Sequence, residues 1–278
     1  MFKDSSLHIA ARDSIAWWKA WLIRLIAVLL SLIVCAIVIF GLTKMNPVEV
    51  YKGIFSGAVG TSRRAWVTIR DTMVLLLIAI GLTPAFKMKF WNIGAEGQIL
   101  VGGAATAALM IYAGDSMPTP VLMILMFVAS LAAGMIWGII PAIFKAYFNT
   151  NETLFTLMLN YVAMQIVTFC IVYWENPAGS NTVGIINSAT RAGWLPALGG
   201  LTYGWNVLIV LAFTFGMYIY MKYSKQGYEV AVVGESQDTA RYARINVKRT
   251  IIRTMGISGG ICGIAGFLLV SGASHTIS

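Results

Sequence analysis

The chain has 278 residues, 58% of them hydrophobic and only 11% charged, against about 25% charged in ordinary soluble domains. That balance excludes a soluble globular domain and describes a polytopic membrane protein. The net charge of +9 does not point to nucleic acid. Its Lys and Arg sit in short loops and at the ends of apolar runs, as membrane orientation requires, without an aromatic-interleaved basic patch.

Along the chain, Lys3, Arg12, Lys19 and Arg24 precede the first apolar run, Leu25–Leu42, and Trp17, Trp18 and Trp21 form an interfacial aromatic cluster beside it. As a helix this run is about 27 Å long, close to a hydrocarbon core of about 30 Å. Gly41, Leu42, Thr43 and Lys44 make no small-residue cleavage site, so the run reads as a retained helix and not a removed signal.

The most informative stretch is Thr72–Ala113. Two short apolar runs, Thr72–Phe86 and Ile99–Ala113, flank a polar, glycine-containing break from Lys87 to Gln98. Such a break is costly in lipid unless protein or a water-filled cavity surrounds it, so it points to a path across the membrane. Asn92, Glu96, Gln98 and, later, Asn160 are the candidate pathway residues. Glu96 lies between apolar neighbours, where a carboxylate needs a partner.

Val121–Phe144, Leu154–Tyr173, Val207–Met221 and Thr254–Ser271 follow, giving about seven membrane segments in an all-α transmembrane bundle. Asn160 and Gln165, inside Leu154–Tyr173, need partners in the bundle; they line a pathway or only tie helices together. Trp174–Asn206 reads as an irregular loop with turns. In Lys222–Arg253, Ser236 can cap a short helix with Asp238 in its first turn and Arg241 and Arg244 toward its end. Gly256 and Gly260, like Gly259 and Gly263, share a helix face that lets another backbone approach, so this last segment calls for a packing partner.

With the amino terminus in the cytoplasm, only Lys44, Lys52, Arg63, Arg64, Arg70 and Arg191 of the 20 Lys and Arg fall outside. That bias favours this orientation. No long polar stretch could hold a second core, so residues 1–278 read as a single membrane domain. Cys35, Cys170 and Cys262 each lie in a different apolar run, and His8 and His275 are isolated near the termini as exposed or interfacial residues. Neither set makes a metal site.

The run Asn92-Ile93-Gly94-Ala95-Glu96-Gly97-Gln98 resembles the signature of permease subunits of ABC importers for sugars, branched-chain amino acids and nucleosides. Within that branch it is most similar to permeases that work with basic-membrane-lipoprotein nucleoside receptors. Asn151-Glu152 with Thr156-Leu157-Met158-Leu159-Asn160-Tyr161 resembles a second family stretch. Ala240-Arg241-Tyr242-Ala243 with Ile245-Asn246-Val247 resembles a cytoplasmic one, and Ser258-Gly259-Gly260 with Gly263 and Ala265-Gly266 the helix after it. Arg244 stands where the family usually has glycine. The family also continues through further membrane helices, so the chain is expected to be short at its carboxyl end, to insert, and to support little uptake alone.

The resemblance implies a permease subunit that forms the path for a small polar solute, a nucleoside or simple sugar. It implies a separate ATPase subunit carrying ATP and Mg, a second permease subunit, identical or related, and an extracellular substrate-binding lipoprotein. The setting is a bacterial-type plasma membrane. Gly234, Ser236, Ala240, Arg241, Ala243 and Asn246 then make the candidate ATPase-coupling segment. The residues agree: the chain has no G-x-x-x-x-G-K-[ST] phosphate loop and no enzyme constellation. The alternative is an ion-coupled secondary transporter, which usually carries several intramembrane ionisable groups. Glu96 is almost alone.

Overall fold

The computed structural model describes residues 16–277. Lys3, His8 and Arg12 lie outside them. The described residues form ten α-helices and a closing π-helical turn, with no strand beyond an isolated bridge between Leu198 and Leu201. They divide into one unit through Ala65 and another from Trp66.

In the first unit, α1 (Trp17–Thr43) buries none of its residues, and its leucines, valines and all its isoleucines but Ile39 are exposed. A helix apolar all round suits a membrane span. Lys19 lies over the Trp18 ring and Arg24 over Trp21, both at 5.3 Å. The expected interfacial cluster thus pairs aromatic rings with cations. α2 (Pro47–Val59) starts where the Asn46 side chain accepts from the Val48 N–H and Pro47 sets the first helical φ. Tyr51 Oη donates to the Leu32 carbonyl at 2.6 Å, fastening α2 to α1.

The second unit holds most of α3 (Ser62–Lys87), then α4 (Ala95–Ala113), α5 (Thr119–Phe148), α6 (Glu152–Tyr173), α7 (Gly204–Tyr223), α8 (Lys225–Glu235), α9 (Gln237–Tyr242), α10 (Val247–Leu269) and the π-helical turn Val270–Ser274. All seven apolar segments fall on helices. Six helical spans are long and apolar enough to cross a membrane. The seventh, α4, opens with the polar turn Ala95–Gln98. The break is therefore shorter than Lys87–Gln98: Lys87 still belongs to α3, and only 88–94 is non-helical. Gly94 is the N-cap, and Glu96 follows in the first turn, where a helix favours an anion.

α10 is the centre of this unit. Of its 23 residues, 17 are buried. The small-residue face already has its neighbours. A Cβ on Gly259 would run into the Gly134 carbonyl of α5, and one on Gly102 of α4 would meet the Gly263 carbonyl at 2.5 Å. The packing partner that this face calls for is thus supplied by α4 and α5. Close backbone approach gains dispersion contacts where lipid removes the hydrophobic drive between helices.

Ser236 caps α9 by accepting from the Thr239 N–H, with Asp238 in the first turn and Arg241 in the last. α9 closes when the Ile245 N–H bonds the Ala240 carbonyl and the Arg244 N–H bonds that of Arg241. This pair of bonds needs a left-handed residue at Arg244, which has φ 57°. The position suits glycine, and arginine is strained there. Arg244→Gly is expected to stabilise the fold by about 1 kcal/mol, less the greater freedom of glycine in the unfolded chain. An unchanged or lower midpoint in denaturant titration would count against it.

The stretch 174–203 is irregular, as expected, and is strapped to the end of α10. The Leu195 N–H donates to the Ser271 carbonyl at 3.1 Å, and Ser271 Oγ donates to Gly193 at 2.5 Å. His275 is not free at the surface. It is half-buried and stacks on Trp194, with ring centroids 3.8 Å apart. Burial lowers its pKa; a backbone hydrogen bond at Ser271 opposes this and the Arg70 charge adds to it.

Candidate functional site

The connector between α3 and α4 is held by side chains from two other helices, α6 and α10. Asn160 of α6 does most. Its Oδ1 accepts from the Gly97 N–H at 2.9 Å, and its Nδ2 donates to the Ile93 carbonyl at 3.0 Å. One amide thus satisfies a donor and an acceptor that a helix start leaves open. Thr156 Oγ1 accepts from the Ile93 N–H at 3.3 Å. Asn92 Oδ1 accepts from Gly94 N–H at 3.0 Å and from Gln98 Nε2 at 3.4 Å. In return Asn92 Nδ2 faces Gln98 Oε1 at 3.4 Å and Ser258 Oγ of α10 at 3.5 Å. The Trp137 indole N–H of α5 is buried beside Gly97 without an acceptor.

This cluster brings together three of the four candidate pathway residues: Asn92, Gln98 and Asn160 are 1–3% exposed. Their polar atoms bond the connector and one another, so in this conformation they fasten helices. Glu96 stands apart. It is exposed and forms no ion pair among the described residues, so the internal partner expected for it is not present there. Gln165 is likewise exposed, on the side of α6 away from Asn160 and Ala163. Thr156, Trp137 and Ser258 were not among the sequence candidates. Thr156 and Ser258 did carry a signal, as hydroxyls inside the two motif stretches.

Removing Asn160 should be costly. Asn160→Ala leaves the buried Gly97 N–H without a partner, at about 1–3 kcal/mol, and removes the donor to the partly exposed Ile93 carbonyl. A large drop in unfolding midpoint is expected. An unchanged midpoint would mean that water replaces the amide without penalty.

The candidate coupling segment divides into two kinds of residue. Gly234 and Ala240 face inward. A Cβ on Gly234 would overlap the Lys87 carbonyl, and Ala240 is fully buried. With Val230 and Val233 they share a core with Met88 and Phe90 of the connector and with Ile251 and Met255 of α10. Ser236 and Asn246 are caps, Asn246 accepting from the Arg249 N–H at the start of α10. Arg241 and Ala243 are exposed, and the Arg241–Asp238 pair at 3.0 Å is too solvated to contribute much. Arg253 of α10 pairs with Glu229 of α8 at 2.8 Å, and Lys145 of α5 with Glu152 of α6 at 2.9 Å. Among the described residues no group of acidic, histidine and cysteine side chains could hold a metal ion.

The arrangement is a helical element packed on the connector of an interrupted membrane segment. No solved structure matches the chain significantly. Curated relatives do. The nucleoside ABC transporter permease protein NupB of Lactococcus lactis is 28% identical over 88% of this chain and 69% of its own length. The guanosine ABC transporter permease protein NupP of Bacillus subtilis is 30% identical, over 88% and 70%. The glucose ABC transporter permease protein TsgB13 of Haloferax volcanii is 26% identical, over 96% and 72%. Residues 66–277 match the family model described as the permease component of branched-chain amino acid transport systems. This chain belongs to that permease family, and it is an integral membrane transport protein.

Proposed function

We propose that the chain is the membrane permease subunit of an ATP-driven importer and forms the path for a small polar solute, a nucleoside or a simple sugar. The observation that carries this reading is the packing of α8 and α9 on the α3–α4 connector through Gly234, Ala240, Met88 and Phe90. A push on α9 passes into the core it shares with α8, the connector and α10, and the connector is bonded to α6 and α10. The relatives are nucleoside, guanosine and glucose permeases, which supports the solute class.

In this reading ATP and Mg bind a separate ATPase that docks on Arg241 and Ala243. A second permease, identical or related, completes the path, and an extracellular lipoprotein delivers the solute. Asn92, Gln98 and Asn160 serve the path by fixing the connector. Glu96, exposed at the start of α4, is the candidate placed to meet solute or the second subunit. The amino terminus lies in the cytoplasm of a bacterial-type plasma membrane.

Purification of the tagged chain from its own membranes is the direct test. An ATPase, a permease and a receptor carrying a nucleoside or sugar should co-elute. Uptake driven by a proton or sodium gradient, with no ATPase present, would replace this reading with the ion-coupled one. Orientation is read separately with single cysteines at Gln237 and Asn181. An impermeant reagent should label Asn181→Cys from outside intact cells and leave Gln237→Cys unlabelled; the reverse pattern would invert the topology.

A further inference from the structure

A groove of about 440 Å³ runs between α5 and α10 at the end of the bundle where Tyr147 and Lys248 lie. Its walls change character along its length. Lys248 and Arg249 stand at its mouth in the first turn of α10, whereas Ile257 lies nine residues further on, about 14 Å along the helix. Met135 and Ile139 of α5 face that inner part. The groove is thus cationic at one end and apolar at the other.

The cations at the mouth are uncompensated. Neither Lys248 nor Arg249 has an ion pair among the described residues, and no acidic residue stands in the first turn of α10. Lys248 Nζ lies 4.4 Å over the Tyr147 ring, which orders the charge without neutralising it. Arg253, the third cation lining the groove, is held by Glu229, but its Nε is buried with no acceptor. On the outer side of α5, exposed Ile136, Ile143 and Phe144 continue the apolar surface beyond the groove. That apolar surface matches acyl chains in character.

We propose that this groove holds one anionic phospholipid, its phosphate at Lys248 and Arg249 and its acyl chains along Met135, Ile139 and Ile257. Charge complementarity selects the headgroup, and basic pockets between membrane helices are suited to such lipids. A free inorganic phosphate would satisfy the mouth and leave the apolar walls empty. An acidic protein surface would meet the same cations but could not enter between two membrane helices. A phospholipid uses both ends, and it is a ligand distinct from the transported solute.

The test is native mass spectrometry of the full chain in mild detergent, offered equal amounts of phosphatidylglycerol and phosphatidylethanolamine. Preferential retention of phosphatidylglycerol is expected, weakened by high salt. The double variant Lys248→Gln/Arg249→Gln should lower that retention about 25-fold, since each cation near a lipid headgroup contributes roughly fivefold. Lys52→Gln, in the first unit, should leave it unchanged. Met135→Trp fills the apolar wall and keeps both cations; it too should lose the lipid, which a headgroup-only site would not. Excess inorganic phosphate should not displace the lipid. Equal retention of the two lipids, retention that survives both groove variants, or displacement by phosphate would overturn the proposal.

Discussion

Gly263→Leu is expected to prevent the bundle from assembling. A Cβ at this position would run into the Ser130 carbonyl of α5 and approach the Gly134 Cα at 3.0 Å. On its other side, the Gly263 carbonyl already limits Gly102 of α4. α10 therefore cannot shift away from one neighbour without closing on the other. Overpacking of a yielding core costs about 1–3 kcal/mol, and more where backbone opposes backbone, so a loss of about 3 kcal/mol or more is expected. Gly216→Leu in α7 is the control, because nothing lies within 4 Å of a Cβ there. Its effect should stay within about 0.5 kcal/mol. Fluorescence-detected size exclusion and thermal unfolding read both variants. A monodisperse Gly263→Leu protein with an unchanged melting temperature would show that α10 does not pack as described.

Ala240→Glu should separate ATP hydrolysis from transport in the assembled complex. Ala240 has no exposed surface and packs in the core shared by α8, α9, the connector and α10. A carboxylate cannot remain there unpaired, so α9 must lift away and carry the side chain to water. The membrane helices keep their own glycine and amide contacts, so the protein should still insert. Hydrolysis by the ATPase is expected to continue while uptake per complex falls about tenfold or more, the factor given by about 1.4 kcal/mol of lost coupling. Ala243→Glu provides the contrast. Ala243 is exposed, so this variant should fold normally and lose uptake only if a partner covers that surface. Coupled transport by both variants would make α8 and α9 a passive loop.

The seven helices were legible because apolar runs long enough to approach the bilayer thickness are rare by chance. The start of α9 was legible too, since Ser236 and Asp238 carry a local capping signal that needs no tertiary partner. The role of the polar cluster was not. An amide lining a path and an amide fastening a connector are the same residue type, and only the placement of Asn160 against Ile93 and Gly97 distinguishes them. Ala240 and Ala243 looked equivalent because a helix as short as α9 has no period from which to read a buried face. The stacking of His275 on Trp194 joins residues far apart in sequence, beyond the reach of any local pattern. The start of α4 was not legible for a related reason. Polarity marked Ala95–Gln98 as irregular, whereas Asn160 satisfies its backbone and lets α4 begin there.

The glycine contacts of α10 have a thermal consequence. Inside a bilayer they displace hydrocarbon and not water, so they carry little of the heat-capacity change that makes apolar burial weaken on cooling. The contact of Val230, Val233 and Ala240 with Met88 and Phe90 lies, in the proposed orientation, at the aqueous end and does carry it. Cooling should therefore loosen the grip of α8 and α9 on the connector while leaving the helix bundle tight. Transport would then fail in the cold at its transmission and not at its channel-forming core.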